Sequence, residues 1–268
     1  MENINFGIIT GDELRHKYFA HTLSNELNIK LIAYEKKANV HEQINFGVYG
    51  NEIVKNHFKS REENEFIYFD KKPELCCSNV YKLNTNEVNE VNFIEKLFVN
   101  KIDYLIIFGS SLISKEILSK YPNKVINLHL GLSPYYRGSG TLFWPIVDNR
   151  FECIGSTIHL AVEKIDAGAI LGQVRPVLKE NDGIHDIGNK TIRKSIEIMP
   201  KLIENYVNRK LIVKNIDHSD GKLCLRKDLS VESIEKAYLN IKNGLLKKYL
   251  LNKDLKDSYY PIITQSIE

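Results

Sequence analysis

The chain has 268 residues and 43% hydrophobic content, enough for one large α/β unit with an ordinary core and a small appendage. Its 37 basic and 34 acidic side chains leave a net charge of +3, which gives no electrostatic footprint for nucleic acid or an anionic membrane. No apolar run approaches the ~20 residues needed to span a bilayer, and the opening MENINFGIIT reads as strand rather than signal peptide, so no membrane partner and a cytoplasmic location are expected.

Cys76, Cys77, Cys153 and Cys224 show no C-x-x-C spacing and are expected to be free thiols. The histidines form no H-x-x-x-H pair, so no metal site is expected. Asn5 to Thr10 is an apolar run ending in Gly11-Asp12, and Phe19, Ala20, Leu23 and Leu27 follow at helical spacing. With Lys30 to Tyr34 as a second strand, the chain opens β-α-β, which favours a parallel sheet. The turn lacks G-x-G-x-x-G, so no dinucleotide is expected, and Asp12 reads as a helix cap.

The polar segment from Glu35 to Leu83 reads as a partly helical insertion, with Ser60 and Glu63 as a capping box. Asn84 and Glu87 give the next capping signal, ahead of a helix whose buried stripe is Val88, Val91, Ile94, Leu97 and Phe98. Tyr104 to Phe108 is nearly all apolar, as expected of a parallel strand covered on both faces, and Gly109-Ser110-Ser111 ends it.

Lys115 to Ser119 predicts a short helix and Lys124 to Leu130 a strand whose C-terminal end carries Asn127 and His129. Two residues apart on a strand, those side chains share a face at the end where open α/β sheets bind ligands. On its own the pair fits two uses, convergence on one small group or satisfaction of loop backbone groups. Gly138 to Asp148 begins a helix, and Ser156 to Leu160 and Ala169 to Val177 alternate as strands, which places Asp166 in the loop between them. Ile184, Ile187, Ile192, Ile196, Met199, Ile203 and Tyr206 form the stripe of a long helix closing a domain at 207. From 208 to 268 a small α+β extension is expected, with a hairpin of Leu211 to Val213 and Leu223 to Leu225 about a turn at Ser219-Asp220-Gly221, then a helix capped by Ser230.

The order N-x-H, then L-S-P-x-Y-R-G, then T-x-H-x-x-x-x-x-x-D-A-G-x-I-x-x-Q resembles the folate-dependent formyltransferases. The resemblance implies a Rossmann-like, mostly parallel sheet, 10-formyltetrahydrofolate as co-substrate, and a catalytic trio at Asn127, His129 and Asp166. It implies a donor pocket at Ser110, Ser111, Leu112 and Ile113 on one side and Val162 to Ile165 on the other, with His159 beside it; for Leu112 and Ile113 core packing is the alternative.

Among the family's branches, the purine enzymes have a Gly/Ser/Asn-rich loop where this chain has Thr10-Gly11-Asp12-Glu13. The methionyl-tRNA enzymes have a basic C-terminal domain and an L-L-P-R insertion where it has Leu132-Ser133-Pro134-Tyr135. The formyltetrahydrofolate hydrolases carry an N-terminal regulatory domain, whereas this chain is read as starting on the catalytic strand. The sugar N-formyltransferases are the nearest resemblance, which implies a nucleotide-linked amino sugar as acceptor, no nucleic acid, and Tyr135, Tyr136, Arg137 and Gly138 as substrate-binding residues. Arg137 is a candidate for a phosphate, with a solvated or structural loop arginine as the other reading. The tail is expected to cover the acceptor site or a homodimer partner, with Tyr238, Tyr259 and Tyr260 as candidates to stack a base. The alternatives are a methionyl-tRNA formyltransferase-like enzyme and a non-catalytic folate- or tRNA-binding protein of the same fold.

Overall fold

The computed structural model describes residues 4–36, 51–217 and 221–265. Strands β1 (Phe6–Gly11), β2 (Ile29–Glu35), β3 (Val80–Leu83), β4 (Tyr104–Phe108), β5 (Val125–His129), β7 (Ser156–Leu160) and β8 (Ile170–Val174) form a seven-stranded sheet in the order β3-β2-β1-β4-β5-β7-β8. The pairs from β3 to β5 are parallel, and β7 and β8 are antiparallel additions. Strand order reverses between β1 and β4, so the crevice at their carboxyl ends is the place where this topology accepts ligands.

Period-two alternation divides the core. Phe6, Ile8, Ile106, Ile126 and Ile158 pack on one face against α1 (Leu14–Glu26) and the long α6 (Ile184–Val207). Ile9, Leu31, Leu105, Ile107 and Val125 pack on the other against α3 (Val91–Val99) and α4 (Lys115–Lys120). Both faces are covered, which explains the nearly continuous apolar runs of β1 and β4.

Several local expectations are corrected. The capping box read at Ser60 and Glu63 lies inside one continuous helix, α2 (Glu52–Phe69), capped by Asn51, whose side chain accepts from the Ile53 amide. Glu13, rather than Asp12, is the N-cap residue of α1. The stripe from Val88 to Phe98 is broken by a 3-10 turn at Glu87–Asn89, so α3 restarts at Val91 and leaves Val91 and Phe98 exposed. In place of a helix from Gly138 there is a short strand, β6 (Tyr136–Gly138), then a one-turn helix, α5 (Trp144–Val147).

The expected tail hairpin does not form: β9 (Lys222–Cys224) pairs in parallel with β6, and Lys214 bridges Ile170. Ser219 and Asp220 of its expected turn lie outside the described residues, whereas Gly221 lies within them. Ser230 does cap α7 (Val231–Lys242), which is followed by α8 (Leu245–Leu251) and α9 (Lys253–Ser258). A third core joins this tail to the 136–154 region through Tyr136, Trp144, Phe151, Cys224, Ala237, Leu246 and Tyr249. All four cysteines are free, and no helix among the described residues is long and apolar enough to cross a membrane.

Candidate active site

Asn127 and His129 lie at the carboxyl end of β5, and the antiparallel register sets His159 of β7 directly across from Asn127. The β7–β8 loop then folds Asp166 over the three. Asp166 Oδ2 lies 3.2 Å from His129 Nδ1 and accepts from the Gly138 amide at 3.0 Å, while Oδ1 lies 3.5 Å from His159 Nε2 and accepts from Asn127 Nδ2 at 3.4 Å. Asp166 takes a left-handed φ of 49°, a conformation Asp tolerates better than most residues.

Hydrogen bonds fix the tautomers. His159 Nδ1 faces the Leu160 carbonyl at 2.8 Å, so Nδ1–H donates there and Nε2 accepts from Asn127 Nδ2 at 3.0 Å. His129 Nε2–H donates to the Tyr136 carbonyl at 3.1 Å, which turns Nδ1 toward Asp166. That contact is favourable only with a proton between the two groups, so the pair shares one. Burial pushes the His129 pKa down while the carboxylate pulls against it. Burial alone would raise the Asp166 carboxyl, but the charge of His129 and the Gly138 amide hold it below the ordinary carboxylate range.

A deeper layer holds this arrangement. Thr157 Oγ1 donates to the Gly131 carbonyl at 2.7 Å and accepts from the Ser133 amide at 3.0 Å. Gln173 donates to the Ser133 carbonyl and to Thr157, and its own carbonyl accepts from the Ile263 amide of the tail.

The site opens into a cavity of about 1150 Å³. A single small-molecule site runs to roughly 300–1,000 Å³, so this one has room for two reactants. One side is lined by Ser110, Ser111, Leu112, Ile113, Val162 and Ile165, of which Leu112, Val162 and Ile165 are exposed apolar side chains. Buried Glu35 shapes that wall, since its carboxylate accepts from the Ser111 amide and the Asn86 amide. Asn89 completes it by donating to the Leu112 carbonyl and accepting from the Ser114 amide.

Of the four residues read as substrate-binding, Gly138 lines the cavity and Tyr135, Tyr136 and Arg137 do not. The physical reason is the β6–β9 pairing, which turns this segment into the joint with the tail: the Tyr136 hydroxyl donates to Asp148, Tyr135 meets Tyr260 edge to face, and Arg137 is buried. The opposite arm carries residues not singled out from the sequence: Glu13, Arg15, His16, His57, Arg61, Glu65 and His185. The spacing of His57, Arg61 and Glu65, four residues apart on α2, is the signal that marks them, because it puts all three on one helix face.

The formyl transferase family model matches residues 27–203. The chain is 28% identical to methionyl-tRNA formyltransferase of Buchnera aphidicola subsp. Schizaphis graminum over 60% of this chain and 52% of that protein. It is 27% identical to phosphoribosylglycinamide formyltransferase of Haemophilus influenzae over 45% of this chain and 58% of that protein. The chain thus spans little more than half the length of these curated relatives. Among solved structures, a sugar N-formyltransferase from Shewanella sp FDAARGOS_354 shares the fold with a TM-score of 0.57 at 15% identity, covering 89% of this chain and 87% of that one. With about two thirds of its length matched by the family model, the chain belongs to the formyl transferase family.

Proposed function

We propose that the protein is an N-formyltransferase that moves a formyl group from 10-formyltetrahydrofolate to the amine of a nucleotide-linked amino deoxysugar. The observation that carries the reading is the Asp166 carboxyl group, held in the cavity wall by His129, Asn127 and the Gly138 amide.

In this mechanism the acceptor amine nitrogen attacks the formyl carbon, forming a C–N bond and a tetrahedral oxyanion. The second Asn127 N–H, bound only at 3.4 Å to Asp166, is the donor an oxyanion would recruit. His129 has both nitrogens engaged by protein, so its part is to hold the carboxylate and share the proton. Asp166 accepts the proton lost by the amine and returns it to the leaving N10 nitrogen as the bond from the formyl carbon to N10 breaks, which leaves the carboxylate as it began. The donor lies along Ser110 to Ile113 and Val162 to Ile165, and the acceptor in the arm lined by Arg15, His57 and Arg61.

Support for the sugar acceptor comes from the Thr10-Gly11-Asp12-Glu13 turn, which lacks a Gly-rich phosphate cradle, and from the Shewanella enzyme's name. The name of the Buchnera relative favours methionyl-tRNA as the second reading. Incubation with 10-formyltetrahydrofolate and a panel of nucleotide-linked amino sugars, with methionyl-tRNA in parallel, tests both. Gain of one formyl group on a sugar amine is expected, and its absence across the panel defeats the sugar reading.

A further inference from the structure

The acceptor arm contains a charge cluster whose members are unequally engaged. Arg15, from the first turn of α1, forms close ion pairs with both Glu13 and Glu65, and its side chain is 9% exposed. Those two carboxylates are therefore already held. Arg61 reaches them only at 3.4 Å and 3.8 Å, its side chain is 29% exposed, and its guanidinium lies over the Phe58 ring. Its Nε is buried and has no hydrogen-bond partner among the described residues.

Beside it the His57 and His185 rings lie 4.8 Å apart, with the Tyr238 hydroxyl of the tail 3.4 Å from a nitrogen of each. Burial, aided by the positive charge of Arg61, lowers these imidazoles to about 3 and about 4, so both are neutral near pH 7. Of the further carboxylates, Glu62 adjoins Arg61 on α2 and its charge acts on it, while Asp186 on α6 is occupied by the Asn64 amide, the Tyr68 hydroxyl and the Gly183 amide.

We propose that Arg61, flanked by His57 and His185, binds the diphosphate of the acceptor, an assignment that rests on the nucleotide-linked sugar reading above. A guanidinium presents a planar fork of N–H donors matched to phosphate oxygens, and the neutral imidazoles beside it line the site without adding a competing charge. Arg61 and Asn127 line the same cavity, so one acceptor molecule can present its diphosphate to the first and its amine to the second.

Calorimetric titration with inorganic pyrophosphate, and separately with 5-formyltetrahydrofolate, tests the site without requiring turnover. Arg61→Gln is expected to weaken pyrophosphate binding about ten- to a hundred-fold while leaving the folate ligand unchanged. Arg61→Lys, which keeps the charge and loses the fork, should fall between. Equal pyrophosphate binding by wild type and Arg61→Gln, or none by wild type, overturns the assignment. A stronger response to N-acetylneuraminate, a sugar carboxylate, overturns it too. If Arg61→Gln loses the folate ligand as well, Arg61→Lys decides, and unchanged pyrophosphate binding there overturns the proposal. Arg61-dependent pyrophosphate binding with no sugar formylated leaves the anion site standing and removes the acceptor class alone.

Discussion

The Asp166 carboxylate accepts a hydrogen bond from the Gly138 amide at 3.0 Å, on the same oxygen that faces His129 at 3.2 Å. A backbone donor and an imidazole thus share one carboxylate oxygen. Asp166→Asn keeps the shape and removes the charge that, in the proposed mechanism, accepts the proton. The variant is expected to fold normally and to lose about a hundred-fold or more in single-turnover formyl transfer, read by quenched-flow mass spectrometry. Ordinary turnover would remove Asp166 from the role.

Gly138 has a φ of 91°, and a Cβ there would run into the Cys224 carbonyl of β9. Gly138→Ala should therefore destabilise the protein by about 1–3 kcal/mol in urea unfolding. It should also cost activity beyond that loss, because the amide that anchors Asp166 moves with the strand.

Glu35 holds two loops of the wall proposed for the donor. Glu35→Gln replaces an oxygen facing a backbone amide with an NH2 group, so one of the two loops it holds must let go. The KM for 10-formyltetrahydrofolate is expected to rise about ten-fold with kcat and the acceptor KM near wild type. Equal changes in both KM values would mean that Glu35 supports the fold at large.

His57 gives a pH dependence of stability with a definite sign. Its folded pKa is lowered to about 3, mainly by burial, against 6.5 unfolded. Below pH 6.5 the unfolded chain binds a proton that the folded chain refuses, so stability falls as pH drops from 6.5 toward 3. At pH 5 the loss is about 2 kcal/mol from this residue. His57→Gln should flatten that part of the curve in urea unfolding measured from pH 7 to pH 5.

The sheet was legible where burial on both faces left uninterrupted apolar runs, as at Tyr104–Phe108, or clean alternation, as at Ser156–Leu160. That Asn127, His129 and Asp166 come together was legible in their motif order, and their meeting follows from the β5–β7 register. The acceptor arm was not. His57 and Arg61 sit on a helix whose polar surface looks solvated until α1 and α6 close over it, and no local pattern announces that long-range packing. The Tyr135–Arg137 segment misled for a related reason, since its partner strand lies more than eighty residues later in the chain.

That late partner strand has a kinetic corollary. The surroundings of Asp166 draw on β5, β6, β7 and, through β9, a strand near residue 223, so the carboxylate acquires its environment only when the most distant contacts have formed. Contacts of such large sequence separation close slowly. Formyl transfer in a refolding experiment should lag behind the return of helical circular dichroism, which makes catalysis a readout of finished assembly: a chain stalled short of docking its tail would look folded and remain inert.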